Sequence, residues 1–324
     1  MNAEIIAMGH YVPEKVYDNN YMESIVETND EWIMQRTGIK ERRIAADNEY
    51  TTELATNAAK DALKNADMSA EEIDFIIIAT VTPDYFTPIC ACVVQNNIGA
   101  VNAAAIDINT ACAGFVMGLT IAKQFIECGT YKNVLVIGAD VLSKATDYKD
   151  RSTCILFGDA AGAAVVSASE KPGIMQTWMG ARGEGWDKIT SLAFREDAAE
   201  LEKRVSGRKD TLWMAGSDVM KFAVKIMAEA AEKVVTDAGL TFDDIDLVIP
   251  HQANQRIVVS AVKRMGISMD KVFVNLQNYG NTSSASIPVA LCEAQAEGRL
   301  KKGDKIVIVG FGGGLTWGAA LIEW

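Results

Sequence analysis

Four stretches of this chain carry residue types that can do chemistry. The first is Ala105-Ile-Asp-Ile-Asn-Thr-Ala-Cys112-Ala-Gly114-Phe. Residues up to Ile108 read as a buried strand, and Phe115 to Ile126 place apolar residues at helical spacing. Cys112 is therefore expected on a tight turn opening a helix. Free amide N–H groups and the positive dipole end favour a thiolate there, and lower the usual cysteine pKa of about 8.5 by several units. A small buried core cysteine fits the same turn. The second stretch, Leu247-Val-Ile-Pro250-His251-Gln-Ala-Asn254-Gln-Arg256, puts one of only two histidines at the carboxyl end of a strand, where ligands of α/β sheets bind. In the third, Val274-Asn-Leu-Gln-Asn-Tyr-Gly280-Asn281-Thr-Ser-Ser-Ala-Ser leads from strand to helix; alone, Asn281 reads as a cap or turn residue. The fourth, Gly310-Phe-Gly312-Gly-Gly314, lacks the spacing of a dinucleotide loop and precedes a strand-like run. Its glycines let backbone N–H groups face a ligand oxygen, and the segment reads as half of an oxyanion hole.

These stretches are positioned by a weak internal duplication. Glu72-Ile-Asp74-Phe-Ile-Ile-Ile matches Asp244-Ile-Asp246-Leu-Val-Ile-Pro at an offset of 172 residues. The same offset places Asn133-Val-Leu-Val-Ile-Gly138 on Lys305-Ile-Val-Ile-Val-Gly310. A helical pattern precedes each first strand (Thr52 to Asn65; Asp218 to Ala238), and Gly162-Ala-Ala-Val-Val echoes Gly318-Ala-Ala-Leu-Ile after a shorter connection. Helices alternating with continuous apolar strands predict an α/β fold of mostly parallel sheets covered on both faces. Two similar halves, 1–171 and 172–324, are expected to join near Lys171-Pro-Gly173, with a shared site where they meet. Asn281 then falls near the counterpart of the Cys112 turn. Trp32 and Arg36 are four apart on a helix capped by Thr28-Asn-Asp30, so they share a face and can hold a planar anionic ligand, or form a solvated arginine beside a half-buried tryptophan. Residues 178–212 are polar and read as an insertion over the mouth of the site, or as an exposed hairpin.

Composition narrows the function. A net charge of −12 over 324 residues argues against a general nucleic-acid or anionic-membrane binder. Six cysteines without a C-x-x-C pair, and only two histidines, suggest reduced thiols, no metal site and a cytoplasmic home. The amino terminus lacks a basic segment followed by an apolar one, so no signal peptide is expected. The apolar, uncharged run Ile306 to Ile322 is too short and too rich in glycine for a membrane span.

Trp32…Arg36-Thr-Gly-Ile39, Asn109-Thr-Ala-Cys112-Ala-Gly-Phe, His251-Gln-Ala-Asn254, Tyr279-Gly-Asn281-Thr-Ser-Ser-Ala-Ser and Gly310-Phe-Gly-Gly-Gly314 together resemble the β-ketoacyl-acyl-carrier-protein synthase III family of the thiolase superfamily. The resemblance covers essentially the whole chain. It implies a layered αβαβα thiolase-like fold of two βαβαβαββ halves, assembled as a homodimer. It also implies the initiating condensation of fatty acid synthesis: acyl-CoA and malonyl-acyl-carrier protein give 3-oxoacyl-acyl-carrier protein, CoA and CO₂. The implied catalytic residues are Cys112, His251 and Asn281, with an oxyanion hole from the amides of Cys112 and Gly314 and no cofactor. Trp32, Arg36 and Arg151 are assigned to the CoA nucleotide and Asn254 to the pantetheine arm; Ala215-Gly216 stands where family members often carry Asn-Gly. Because the chain is acidic, an acidic carrier protein needs a local basic cluster, for which Arg256, Lys263, Arg264 and Lys221 are candidates. Alternatives are acyl transfer to a small-molecule acceptor by the same residues, a papain-like hydrolase, and a carrier-binding module that does not need the thiol.

Overall fold

The computed structural model describes residues 1–193 and 211–324. Two sheets form its frame. The first has the order β1 (Asn2–Tyr11), β7 (Asp159–Ser169), β6 (Asn133–Val141), β4 (Phe75–Ala79), β5 (Ala104–Ile108); the second runs β11 (Leu247–Pro250), β12 (Lys305–Gly312), β13 (Thr316–Glu323), β8 (Ile174–Ala181). Their ladders correspond. β4 pairs with β6 in parallel, Ile77 opposite Val136, as β11 pairs with β12, Ile249 opposite Ile308. β6 and β12 each turn back antiparallel, with Gly138 opposite Gly162 and Gly310 opposite Gly318. Asp74 accepts from Asn133 N at 2.9 Å, and Asp246 from Lys305 N at 2.8 Å. The offset of 172 thus relates β4 and β6 to β11 and β12, whereas β7 and β13 are related by 156, because the second connection is shorter.

Continuous apolar strands follow from burial on both faces. Ile77, Val136, Ile249 and Ile308 point inward onto two central helices, Gly114–Glu127 and Ser286–Ala296, through Phe115, Leu119, Ile287 and Leu291. Ile76, Ile78 and Leu135 point outward onto the helices Thr51–Asn65 and Cys90–Ile98. Val248, Val307 and Leu321 do the same onto Gly216–Asp237 and Gln255–Met265. The layers are therefore helix, sheet, helix, sheet, helix. A central helix covered from both sides must be apolar nearly all round, and every residue from Gly114 to Thr120 is buried. The outer helix Gln255–Met265 is amphipathic, with Ile257, Val258, Ala261 and Val262 inside and Arg256, Lys263 and Arg264 exposed.

Small pieces close one end of this frame. The antiparallel pair β2 (Lys15–Asp18) and β3 (Glu41–Ile44) flanks the helix Asp30–Thr37, which is capped by the Asn29 side chain on Trp32 N and carries Trp32 and Arg36. β9 (Ile189–Thr190) pairs with β10 (Trp213–Met214). Of the polar insertion expected over 178–212, residues 194–210 lie outside the described part, while Ile189, Leu192, Leu212 and Met214 border the large cavity. Among the described residues, no helix is long and apolar enough to cross a membrane.

Candidate active site

Cys112 is the middle residue of a short 3₁₀ turn, Ala111–Ala113, that feeds the central helix Gly114–Glu127. Ala111 enters the turn at φ 49°, a left-handed conformation that costs a non-glycine residue about 1–2 kcal/mol. The turn is seated by the other half. A Cβ at Gly310 would stand 3.0 Å from Cys112 O, and one at Gly312 2.6 Å from Cys112 N, so only glycine lets β12 lie against the nucleophile's backbone. Thr316 Oγ1 donates to Thr110 O at 2.9 Å and fixes the start of β13 there as well. Gly312 to Gly314 then border the same cavity as Cys112, a space of about 1270 Å³.

The Cys112 thiol departs from the sequence expectation of a depressed pKa. Burial pushes it up to about 12, the buried Asp140 carboxylate adds to the rise, and the Ser283 hydroxyl opposes it. The loss of water around the sulfur outweighs the hydrogen-bond donors beside it, so the resting group is a thiol.

His251 continues β11, donating its backbone N–H to Val309 O at 2.8 Å, and is buried. Its Nδ1 lies 2.6 Å from Ser286 Oγ, and that oxygen also accepts from Gln252 N at 3.3 Å. Phe311 meets the imidazole edge-on at 5.4 Å between centroids. Burial alone pushes the imidazole down to about 3, so it is neutral at physiological pH. With the Ser286 hydroxyl donating to Nδ1, Nε2 carries the proton and serves as donor. Asn281 is oriented comparably. Its Oδ1 accepts from Ser283 N at 2.9 Å, which leaves the Nδ2 protons for a ligand. Its backbone is held on both sides, Asn281 N donating to Leu156 O at 2.8 Å and Gly158 N to Asn281 O at 3.1 Å. Behind that loop the fully buried Arg42 clamps Ile155 O through Nε at 3.0 Å and Nη2 at 2.6 Å.

The cavity extends from Cys112, His251 and Asn281 to Trp32, Arg36 and Arg151. Arg36 and Arg151 both lie over the Trp32 ring, at 5.0 and 4.9 Å from its centroid, and Arg151 donates to Glu27 O at 3.0 Å. Asn254 also borders the cavity, but its amide has structural partners: Oδ1 caps the helix Gln255–Met265 on Arg256 N at 2.8 Å, and Nδ2 donates to Arg36 O at 3.1 Å. Of the proposed docking residues only Arg256 reaches the cavity. Lys263, Arg264 and Lys221 are exposed on the adjoining outer helices, where Arg264 and Lys225 share Glu229, each at 3.7 Å.

Several residues here escaped the sequence reading. The counterpart of Cys112 at the 172-residue offset is Ser284, in a second 3₁₀ turn, Ser283–Ala285, that Ser283 enters at φ 52° as Ala111 does at 49°. Asn281 thus corresponds to Asn109. The seating is reciprocal: a Cβ at Gly138 would stand 2.4 Å from Ser284 O, as Gly310 approaches Cys112. Ser284 Oγ lies 2.6 Å from Asp140 Oδ2, and Asp140 also accepts from Val81 N at 2.7 Å, tying the two halves at the site. Extending the repeat alignment past the strands into the turns would have found both serines. Asp140 and Arg42 leave no such signal.

Comparison with known proteins agrees with this geometry. Residues 106–183 match the family model described as 3-oxoacyl-[acyl-carrier-protein] synthase III, and residues 235–324 match the model of its C-terminal part. The β-ketoacyl-[acyl-carrier-protein] synthase III of Clostridioides difficile is 52% identical over 99% of this chain and 98% of that relative. Solved structures of 3-oxoacyl-[acyl-carrier-protein] synthase III from Aquifex aeolicus (47% identity, TM-score 0.93, covering 99% of this chain and 100% of that one) and of β-ketoacyl-[acyl-carrier-protein] synthase III from Thermus thermophilus (43%, 0.94, 99% of each) share the fold throughout. With a cysteine elbow from one half meeting histidine and asparagine from the other, and whole-length identity near one half, the chain belongs to the β-ketoacyl-acyl-carrier-protein synthase III family, acyltransferases that perform the initiating condensation of fatty acid synthesis.

Proposed function

We propose that the cavity condenses a short acyl-CoA with malonyl-acyl-carrier protein through an acyl-Cys112 intermediate. The observation that carries this reading is the meeting of Cys112, His251, Asn281 and Gly314 on one cavity. The Cys112 sulfur attacks the acyl-CoA thioester while the amides of Cys112 and Gly314 hold the oxyanion. The carbon–sulfur bond to CoA breaks, and the thiol proton ends on the CoA sulfur. Malonyl-acyl-carrier protein then enters. As its carboxylate leaves as CO₂, the electron pair moves into a thioester enolate whose oxygen accepts from His251 Nε2–H and Asn281 Nδ2–H. The enolate carbon attacks the acyl-cysteine, a carbon–carbon bond forms, the carbon–sulfur bond to Cys112 breaks, and the departing thiolate takes a proton from water. Neutral donors suite this step, because His251 stays uncharged.

Trp32, Arg36 and Arg151 take the CoA nucleotide by stacking and charge, and Asn254 lies along the pantetheine arm. Leu142, Phe157 and Ile189 supply apolar surface for the acyl chain. Arg256 leads the docking of the acidic carrier protein, with Lys221, Lys263 and Arg264 beside it. The working form is a cytoplasmic homodimer, and the exposed Phe86 (71% accessible) is a natural contact for a second copy. Intact-protein mass spectrometry after mixing with acetyl-, isobutyryl- and longer acyl-CoAs tests the reading. One acyl adduct on Cys112, lost in Cys112→Ala, is expected; unmodified protein with every thioester would sink it.

A further inference from the structure

Ser283 stands out among the groups that the mechanism leaves unused. It is 2% exposed, it borders the cavity with Cys112, and among the described residues its Oγ has no partner at full hydrogen-bonding geometry, the Cys112 thiol and the Asp140 carboxylate being the groups it acts on. A buried hydroxyl without a partner costs about 1–3 kcal/mol. Its backbone adds to the cost, since φ 52° is disfavoured for any residue but glycine. The conformation does not need a hydroxyl, because the corresponding turn holds Ala111 at φ 49°. Backbone geometry therefore explains the turn but not the serine.

The two turns face each other across the junction of the halves, held by Gly138 against Ser284 and by Gly310 against Cys112. We propose that Ser283 is a further catalytic residue, whose hydroxyl donates a hydrogen bond to the Cys112 sulfur as the thiol ionises and thereby sets the reactivity of the nucleophile. The Ser283 proton stays on its oxygen throughout; only the Cys112 proton leaves. Two side chains act on the sulfur in opposite senses. Asp140 opposes ionisation, and the Ser283 hydroxyl is the side chain that pulls the thiol down against burial. The inference rests on Cys112 being the nucleophile of the proposed reaction.

The test is the rate of iodoacetamide alkylation at Cys112, followed by peptide mass mapping from pH 7 to 10 so that the exposed Cys92 and Cys128 are read separately. Ser283→Ala is expected to slow alkylation at a fixed pH by about tenfold, the weight of one hydrogen bond to a charged group, and to slow acyl loading in parallel. Ser283→Gly separates hydroxyl from backbone. It relaxes the positive φ and keeps the fold, and it is expected to alkylate as slowly as the alanine variant. Decarboxylation of a malonyl thioester, which depends on His251 and on Asn281 held by Ser283 N, is expected to fall less than acyl loading in both. Wild-type alkylation rates in Ser283→Ala and Ser283→Gly overturn the inference while leaving Cys112 as nucleophile. Absence of an acyl adduct on wild-type Cys112 instead defeats the reading on which it rests.

Discussion

At Cys112, desolvation and the local donors pull in opposite directions, and desolvation wins. Each pKa unit corresponds to about 1.4 kcal/mol, so a thiol raised to about 12 is stored in its unreactive form until a substrate arrives. The expected consequence is that alkylation of wild-type Cys112 climbs steadily from pH 7 to 10. A plateau below pH 8 would mean that the free enzyme already holds a thiolate. His251 and Asn281 act later. His251→Ala and Asn281→Ala are expected to lower malonyl decarboxylation by about a hundredfold, the weight of one lost oxyanion donor, while slowing acyl loading far less. The reverse order, measured on the same preparations, would exchange their assigned roles.

The elements that matter most for chemistry are the two 3₁₀ turns and the glycines that seat them. Gly138 and Gly310 occupy corresponding positions on β6 and β12, and each receives the turn of the opposite half. Adding a methyl group at either place overpacks a backbone contact, at a cost of about 1–3 kcal/mol. The expected effects differ. Gly138→Ala pushes on Ser284 O, displaces the segment that carries Asn281 and Ser283, and should harm decarboxylation more than acyl loading. Gly310→Ala pushes on Cys112 O and should harm acyl loading first. Thermal melts, run beside both partial reactions, separate these local displacements from general destabilisation. Equal loss of the two partial reactions in both variants would refute the reciprocal arrangement.

Across the whole molecule, burial of titratable groups couples stability to pH. His251 titrates near 3 when folded and near 6.5 when unfolded. Its contribution is therefore complete above pH 6.5 and is lost as pH falls from 6.5 toward 3, because the unfolded chain takes the proton first. At pH 4.5 the loss amounts to about 2–3 kcal/mol. Asp159 acts with the opposite sign. Burial raises its carboxyl to about 6 from 3.8, so the cost of keeping it ionised is relieved as pH drops from 6 toward 3.8. Comparing wild type with His251→Gln cancels the Asp159 part. The stability difference between the two, taken from denaturant unfolding, should move in favour of the variant between pH 7 and 4.5. A difference that does not change with pH would show that His251 is not buried as a neutral group.

Much of this architecture was legible beforehand, although the sheets are mixed and not mostly parallel as expected, because β7 and β13 turn back antiparallel on β6 and β12 and pair antiparallel with β1 and β8. Strands buried on both faces write continuous apolar runs, and a helix between two sheets writes apolar residues all round, so Phe75 to Ala79 and Phe115 to Ile126 declared their layers locally. The offset of 172 was visible because paired strands repeat the same pattern, and the elbow at Cys112 because strand and helix periods change there. The partners of the reacting groups were not legible. Ser286 reaches His251 across 35 residues, Ser284 reaches Asp140 across 144, and Arg42 reaches Ile155 across 113. Nor was the protonation of Cys112, since it depends on how much water the opposite half removes from around the sulfur. Residue type and local period are properties of a short segment, whereas desolvation and hydrogen-bond partnership belong to surfaces that exist only once the two halves have closed on each other.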